Sequence, residues 1–329
     1  MSTIRDLAKK ANVSITTVSK IMNNDPNFKV KPETRELVLK CALELDYKSN
    51  TKCNNSFKHN IAIIQWYTIE REHEDTFYLD IRKAIEAELK NIAYEYTLFY
   101  SNDKDYLSKL KNYNGIICIG KFSDKQIANY RKITNNIVII DMELSHIIVS
   151  TIVLDYKNAI IDVLNHLISK NHRNIGFLAG NEVTSDNTLL NDPRKKFFLS
   201  LAKSLDINYK NYYVEGYFTE KSGYSMMKTL IEKNKVPTAI ICASDSIAIG
   251  AIKALNEYKY CVPEDVSIIG FNNDEYSLKC VPPLSTIHVP TSKMGKYGVL
   301  TLINHIDKIY TCPVKIELPC ELLLRKSTK

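Results

Sequence analysis

The sequence lacks the motifs on which several classes of enzyme depend. It contains no Gly-x-x-x-x-Gly-Lys-Ser/Thr phosphate loop, no Gly-x-Gly-x-x-Gly, no Gly-x-Ser-x-Gly and no His-Glu-x-x-His. The stretch Ser101-Asn-Asp-Lys104 matches Ser-x-x-Lys, but its companion motifs are missing and it falls in a polar loop. We therefore expect a protein that is not an enzyme and needs neither a cofactor nor a metal ion.

Paired cysteines and long apolar runs are also missing. The 8 cysteines are spread along the chain without a Cys-x-x-Cys pair, and no histidine stands at zinc-finger spacing. Such cysteines are typical of free thiols in a reducing cytosol. No run of 18 apolar residues occurs, and the charged start at Arg5 and Asp6 does not resemble a signal peptide. We expect a cytoplasmic protein.

Positive charge is concentrated at one end of the chain. The whole chain of 329 residues carries a net charge of +7, and residues 1–58 hold 11 Lys and Arg against 6 Asp and Glu. A small basic module on a nearly neutral body suits a polyanionic partner such as nucleic acid. An ordinary solvated basic surface is the alternative explanation.

The first 45 residues have the pattern of three short helices. Apolar residues follow helical spacing from Ile4 to Ala11, with Thr3 as the predicted N-cap. A tight turn at residues 12–13 leads to Ser14, a second N-cap, and to a helix over residues 15–23. A third helix is predicted to start near Pro32 and to bury one stripe, which comprises Leu37, Val38, Cys41, Ala42 and Leu45.

Two helices joined by so short a turn, with a third behind them, describe a helix-turn-helix. The N-terminal part of its second helix contacts base edges in the major groove. That position predicts base contacts for Ile15, Thr16 and Lys20. The short donors that suit phosphate oxygens are Thr3, Ser14, Thr17, Ser19 and Asn23. By pattern alone, such a three-helix bundle could equally bind protein.

The run from Ile4 to Asn23, with Thr34 and Leu45-Asp-Tyr47, closely resembles the headpiece of the lactose/galactose repressor family. In that family the positions matched by Ile15, Thr16 and Lys20 contact bases. The resemblance implies a DNA-binding headpiece over residues 1–47 that acts as a homodimer on palindromic operator DNA.

The segment that follows departs from the family pattern. The resemblance implies a hinge helix after Tyr47 whose leucine, one from each subunit, enters the minor groove. Here the hinge, residues 48–59, is polar and poor in helix formers, and the expected leucine falls at or near Ser56. The segment is therefore either a flexible linker or a hinge in which Phe57 is the wedge.

From Asn60 onward, short apolar runs alternate with amphipathic stretches, which predicts repeated βαβ units. The predicted strands are Ile61–Trp66, Tyr96–Phe99, Gly115–Gly120 and Ile137–Asp141, then Asn174–Gly180, Tyr212–Val214, Ala239–Ala243 and Val266–Phe271. The predicted fold class is a small all-α helix-turn-helix headpiece plus an α/β core of two doubly wound parallel-sheet lobes. Small ligands usually bind beyond the carboxyl ends of such strands.

Residues 60–329 also resemble the sugar-binding core of the same family, whose fold is similar to that of periplasmic sugar-binding proteins. Matching segments include Ala243–Gly250, Val262–Phe271 and Pro282–Ile287. The resemblance implies crossings between the lobes near Leu154, Ile287 and Pro313. The first lobe would then comprise residues 60–154 and 288–313, and the second residues 155–287 and 314–329.

Strand ends nominate the residues of an effector pocket. Asp141 and Asp245 follow predicted strands, where a carboxylate can accept two sugar hydroxyls or simply cap a helix. Asn272 and Asn273 follow another strand, where amides suit hydroxyls or a turn. Trp66 ends the first strand and is a candidate for stacking on a sugar ring, or for the core.

The resemblance adds further pocket residues. It places a hydroxyl-binding arginine at Arg194 and a ring-stacking aromatic at Phe218, for which a core position is the alternative. Ser244 stands where relatives commonly have asparagine, so the sugar, for which a galactoside is one candidate, stays open. The expected function is sugar-controlled binding of operator DNA. A sugar-binding hydrolase and a non-regulatory sugar-binding protein are the alternatives.

Overall fold

The computed structural model describes residues 3–22, 28, 30–45, 59–144, 146 and 148–329. These residues fall into two compact units, a small unit before residue 57 and a large one from there to Lys329. Asn23, Phe57 and nearly all of the expected hinge lie outside the described residues. The predictions made for them stay predictions.

The small unit contains helices α1 (Ile4–Lys10), α2 (Ile15–Met22) and α3 (Pro32–Glu44). Thr3 and Asp6 form a reciprocal capping box at the start of α1, as the sequence predicts. Ser14 Oγ accepts a hydrogen bond from the Thr17 amide, which starts α2 two residues after the turn. The three helices share a core that consists of Leu7, Ala8, Ala11, Val18, Ile21, Val38, Cys41 and Ala42.

One residue of the predicted core stripe in α3 is not in the core. The side chain of Leu37 is 47% exposed, whereas Val38 is fully buried. The buried stripe follows i, i+3, i+4 and i+7 from Val38 to Leu45. Leu37 precedes that stripe by one residue, about 100° around the helix, so the prediction that it is buried was wrong.

The large unit contains two six-stranded sheets with the same strand order. The first sheet runs β11-β5-β4-β3-β1-β2 and the second runs β12-β10-β9-β8-β6-β7. The strands are β1 (Asn60–Gln65), β2 (Glu95–Tyr100), β3 (Gly115–Ile119), β4 (Ile137–Ile140), β5 (Ser150–Leu154), β6 (Ile175–Gly180), β7 (Tyr213–Gly216), β8 (Ala239–Cys242), β9 (Ser267–Asn272), β10 (Ser285–His288), β11 (Lys315–Leu318) and β12 (Glu321–Leu323). All pairs are parallel except β10 with β12.

Helices flank both sheets, and they bury the continuous apolar strands. They are α4 (Ile69–Glu74), α5 (Phe77–Asn91), α6 (Tyr106–Lys109), α7 (Asp124–Arg131), α8 (Tyr156–Ser169), α9 (Pro193–Ser204), α10 (Glu220–Glu232), α11 (Asp245–Glu257), α12 (Glu275–Lys279) and α13 (Thr291–Ile306), with a 3₁₀ turn at Leu110–Asn112. The predicted fold class, a helix-turn-helix with two parallel-sheet lobes, is confirmed. Within the described residues, no helix is both long and apolar enough to cross a membrane.

The chain crosses between the lobes three times. The first crossing lies between Leu154 and Tyr156, and the second between His288 and Thr291. The third lies between Leu318 and Glu321 and not near Pro313, because β11 pairs with β5 of the first sheet. We call residues 60–154 with 289–318 the first lobe, and residues 155–288 with 319–329 the second lobe. Both lobes belong to one compact unit.

Candidate functional site

The main cavity lies between the lobes, at the carboxyl ends of the strands. Its volume is about 570 Å³, which is ample for a small ligand. The first lobe contributes residues that follow β3 and β4. The second lobe contributes Glu182, which follows β6, and residues at the start of α9. The polar and charged lining residues are Lys121, Asp141, Glu143, Tyr156, Glu182, Asn191, Asp192, Arg194 and Lys196.

Asp141 is the centre of a hydrogen-bonded cluster on the wall of the first lobe. It follows β4 with a positive φ of 67°, and its side chain is buried. Tyr78 donates to Oδ2 over 2.8 Å, Tyr156 donates to Oδ1 over 2.6 Å, and Lys121 Nζ lies 2.8 Å from Oδ2. Burial alone would raise the pKa of Asp141, but the charge of Lys121 and these hydrogen bonds outweigh it and lower the pKa. The carboxylate is therefore ionised at neutral pH.

Arg194 is the corresponding charged group of the second lobe. It is the second residue of α9, and Asp192, the N-cap of that helix, accepts from its Nε at 2.9 and 3.0 Å. Nη1 donates to the Ala243 carbonyl over 2.7 Å. The guanidinium carbon lies 4.8 Å from the ring centre of Phe218 and 5.4 Å from that of Phe271. Carboxylate, carbonyl and rings together fix its plane, so Arg194 is held in place before any ligand arrives.

Tyr156 connects the two clusters across the cleft. It starts α8 in the second lobe, yet its hydroxyl donates to Asp141 of the first lobe. Its ring also lies 5.7 Å from the Arg194 guanidinium. A chain of contacts from Asp141 through Tyr156 to Arg194 therefore links the two lobes.

A second cavity of about 430 Å³ adjoins the first. It is lined by Tyr67, Arg71, Asp75, Asn181, Glu182, Val183, Leu189, Tyr217, Phe218 and Thr219. Glu182 lines both cavities. An aromatic ring, a tyrosine hydroxyl and carboxyl groups thus stand around one cleft, which is the combination that suits a ligand with hydroxyls and an apolar ring face.

The structure brings some of the predicted pocket residues together. Asp141 and Arg194 line the main cavity, and Phe218 lines the adjoining one while packing on Arg194. Trp66 lies close by, with its ring 5.7 Å from that of Tyr78, but it is buried behind the cavity wall. Its side chain supports the hydrogen-bonded cluster from behind.

Four other predicted pocket residues line neither of these two cavities. Asp245 is fully buried, and its carboxylate accepts from Thr286 over 2.6 Å and from the Asp274 amide over 2.9 Å. Ser244 caps α11 through the Ile247 amide and is also buried.

The remaining two residues are Asn272, which ends β9, and Asn273, which follows it. Asn273 accepts from Arg325 and lies 3.1 Å from a ring nitrogen of His288. Asn272 adopts a φ of 110° beside it, a conformation that L-residues rarely adopt. In these positions Ser244, Asp245 and Asn273 shape the second lobe, and their predicted contact with a ligand stays untested.

Sequence reasoning missed several residues of the cleft. They are Tyr67, Arg71, Asp75, Tyr78, Lys121, Tyr156, Glu182 and Asp192. Lys121 and Glu182 each follow a predicted buried strand by one or two residues, so the signal that nominated Asp141 applied to them too. Tyr78 lies within a predicted helix, and its role depends on packing that no local pattern encodes.

In the small unit, the residues predicted to contact DNA fall on one side of α2. Ser14, Ile15, Thr16 and Lys20 are exposed, whereas Val18 and Ile21 of the same helix are buried. Ile15 is 46% exposed and lies outside the core, although isoleucine is usually buried. Thr3 is exposed at the start of α1, and Thr17 and Ser19 are partly exposed. The face combines hydroxyls, an aliphatic side chain and a lysine, which together suit phosphates and base edges.

Two family models match the chain. Residues 3–50 match the model of bacterial regulatory proteins of the lacI family, and residues 164–328 match a periplasmic binding protein-like domain. The first match covers the three-helix unit, and the second covers most of the second lobe together with residues 289–318 of the first.

Curated relatives align over the full chain. The HTH-type transcriptional regulator GalR of Streptococcus thermophilus is 35% identical over 100% of both chains. The HTH-type transcriptional regulator GanR of Bacillus subtilis (strain 168) is 31% identical over 99% of both chains.

Solved structures have the same fold. The complex of transcriptional regulator CelR with cellobiose superposes with a TM-score of 0.72 at 22% identity, covering 99% of this chain and 100% of that one. The lac repressor dimer bound to operator and the anti-inducer ONPF gives a TM-score of 0.71 at 23% identity, covering 99% of both chains.

Proposed function

We propose a function from the premise that the chain belongs to the lacI family of bacterial regulatory proteins. It is a DNA-binding transcription regulator, as its curated relatives are, and not an enzyme. In this proposal it is a cytoplasmic repressor of genes for carbohydrate use. A sugar bound between the lobes changes its affinity for operator DNA. A galactoside is the first candidate, because the GalR regulator of Streptococcus thermophilus is 35% identical over the whole chain.

The cleft between the lobes is the observation that carries the proposal. A ligand changes DNA affinity only if it binds one arrangement of the lobes better than another. Asp141 and Arg194 stand on opposite lobes and are joined through Tyr156, so a ligand that contacts both favours one arrangement. Hydrogen bonds to sugar hydroxyls from a fixed carboxylate and a fixed guanidinium supply that preference.

The test has a DNA arm and a sugar arm, both with the full chain. Selection from a random duplex library should yield a palindromic site. Lys20→Ala should weaken binding to that site by about 1–3 kcal/mol, because a lysine that contacts a base edge discriminates by that amount. Lys40→Ala is the matched control: this lysine is also exposed in the small unit but lies on α3. Equal losses in both variants would count against base contact by Lys20.

The sugar arm uses thermal unfolding with mono- and disaccharides. A ligand at 100 times its Kd raises the free energy of unfolding by about 2.7 kcal/mol. The saccharide that gives this shift should also change the affinity for the selected duplex. A shift without any change in DNA affinity would favour a non-regulatory sugar-binding protein, and hydrolysis of a glycoside would favour an enzyme.

We also propose where the homodimer forms. Around α12 the second lobe exposes Tyr276, Leu278 and Val281, the last of these 80% exposed, beside a groove of about 740 Å³. Contiguous exposed apolar side chains mark interaction surfaces, and a second copy fits because DNA-bound lac repressor, which shares this fold, is a dimer. Leu278→Lys should yield a monomer in light scattering. Leu205→Lys, at an exposed leucine on the far end of α9, should stay dimeric.

A further inference from the structure

Glu182 occupies the junction of the two cavities. It follows β6 by two residues and lines both cavities of the cleft. It is the only acidic residue common to both linings among the described residues. Any ligand that occupies either cavity therefore meets its carboxyl group.

The cations near Glu182 are already neutralised by other groups. Lys121 is paired with Asp141 at 2.8 Å, and Arg194 with Asp192 at 2.9 Å. For the Glu182 carboxyl group itself, the described part of the chain shows neither a hydrogen bond nor an ion pair. A half-buried carboxyl group that lacks a protein partner is an acceptor available to a ligand.

The charge of the inner cleft is unbalanced. Asp141 and Asp192 cancel Lys121 and Arg194, so Glu182 and the half-buried Asp75 add excess negative charge whenever they are ionised. Lys196 and Arg71 also line the cavities, but their side chains are exposed, where solvent screens them. A phosphate or carboxylate on a ligand would face this excess charge at close range, in a partly desolvated cleft.

We propose that Glu182 determines the specificity of the effector site: it accepts hydrogen bonds from a neutral, hydroxyl-rich saccharide and excludes phosphorylated or uronic sugars. The inference rests on the proposed function, since it concerns the same cleft. Exclusion arises from like-charge repulsion, and acceptance from hydrogen bonds between sugar hydroxyls and the carboxylate.

The experiment measures binding to the full chain by titration calorimetry. The neutral probes are galactose, lactose, melibiose and cellobiose, and the anionic probes are galactose 6-phosphate and galacturonate. Glu182→Gln keeps the shape and removes the charge. It should weaken the best neutral probe by at least about tenfold, the loss typical of a hydrogen bond to a charged group. It should also strengthen the anionic probes relative to the neutral ones.

Glu143→Gln is the matched control. Glu143 also lines the main cavity, but its side chain is 52% exposed and is bound by Lys315. Its substitution should leave the preference for neutral over anionic probes unchanged. If Glu143→Gln and Glu182→Gln gave the same change, the preference would be a general effect of charge at the cleft and the inference would fall.

A pH series gives a readout that a purely structural role would not move. Burial raises the pKa of Glu182 to about 7, against the opposing charges of Lys121 and Arg194, while Asp192 and Asp141 add to the rise. Tyr67 and Tyr78 also face it and stay neutral, because burial raises their pKa further above 10.

The neutral probe should bind more tightly as the pH rises from 6 to 8, because the ionised carboxylate is the stronger acceptor. Glu182→Gln should flatten the profile in this range. Burial raises the pKa of Asp75 to about 6, so its ionisation affects the binding profile only at the lower end of this pH range. If an anionic probe alone bound, the effector site would stand and this inference would fall. If no saccharide bound at all, the proposed function would fall with it.

Discussion

The two lobes have the same strand order but use their strand ends differently. In the first lobe, Asp141 directly follows β4, and its carboxyl group belongs to a residue that lines the cleft. At the equivalent place in the second lobe, β9 ends in Asn272, and the next residue, Asn273, is bound by Arg325. Asp245, after β8, is likewise turned inward and holds Thr286. The polar residues at the ends of β8 and β9 thus hold the second lobe together.

The second lobe reaches the cleft through Glu182 after β6, and otherwise through a helix start and aromatic rings. Arg194 opens α9, and Phe218 and Phe271 support its guanidinium. Equal topology therefore does not imply equal site geometry. The comparison predicts that a substitution at the end of β4 affects ligand binding, whereas substitutions at the ends of β8 and β9 affect folding.

The largest expected effect of this difference is on folding. Asp245→Ala removes the acceptor of the buried Thr286 hydroxyl and of the partly buried Asp274 amide. Each buried donor left without a partner costs about 1–3 kcal/mol, so the free energy of unfolding should fall by roughly 2–5 kcal/mol. Chemical denaturation of the full chain measures it, and Asp162→Ala, at an exposed aspartate of α8, should change little. A folded variant of unchanged stability that fails to bind the effector would reverse the comparison and support the predicted ligand contact of Asp245.

Arg194→Lys should have the next largest effect, this time on binding. Lysine cannot reproduce the planar fork, which binds Asp192 and the Ala243 carbonyl and which, in the proposed site, also donates to two sugar hydroxyls. Effector binding should weaken by roughly 1.5–3 kcal/mol, while operator affinity without effector stays nearly unchanged.

Titration calorimetry with the effector and duplex binding without it measure the two effects of Arg194→Lys. Arg173→Lys, at an exposed arginine of the same lobe, should alter neither quantity. Wild-type effector affinity in Arg194→Lys would remove Arg194 from the site.

How far the sequence anticipated this site depends on the kind of residue. Asp141 was predictable because it directly follows a run of four apolar residues, and strand ends are where ligands bind. The same rule nominated Asp245, which turns inward because Thr286 and the Asp274 amide satisfy its carboxylate there. Whether a strand end faces the cleft or the interior is decided by partners on other strands, and these partners are distant in sequence.

The alternation of strands and helices, by contrast, fixed the fold class from local pattern alone. Strand β11 was assigned to the wrong lobe because its short, half-polar sequence, Lys315–Leu318, does not reveal its partner. Tyr156 was missed because it follows no predicted strand, and its place in the cleft depends on where the chain crosses between the lobes.

A pair of tyrosines separates contact within a lobe from contact between lobes. Tyr78 and Tyr156 each donate one hydrogen bond to Asp141, but only Tyr156 comes from the second lobe. Substitution of either by Phe should cost about 1 kcal/mol in the free energy of unfolding. Only Tyr156→Phe should also reduce the factor by which effector changes operator affinity, since it cuts the link between lobes. Duplex binding assays with and without effector measure this factor. If Tyr78→Phe and Tyr156→Phe reduced it equally, the link between the lobes would not run through Tyr156.

The smallest effect is expected at the rim of the cleft, where the lobes touch again. Ser123 Oγ of the first lobe donates to Asp186 of the second over 2.7 Å, and Gln126 donates to Ser185 over 2.8 Å. Asp186→Asn weakens the first of these bonds, and because Asp186 itself is exposed, effector affinity should fall only about twofold. Asp124→Asn, an exposed neighbour at the start of α7, is the matched control.

The pH dependence at Asp186 should differ from that at Glu182. Hydrogen bonds from Thr184 and Ser123 lower the pKa of Asp186, so its contribution is complete above about pH 4 and is lost only as the pH falls through the lowered value. The ratio of wild-type to Asp186→Asn affinity should therefore stay constant from pH 5.5 to 8 in calorimetric titrations. A ratio that changes in the same range as that of Glu182→Gln would show that the rim and the interior of the cleft titrate together. The hydrogen bond between Ser123 and Asp186 would then depend on the charge of Glu182, and the contributions of the two lobes to binding could not be separated.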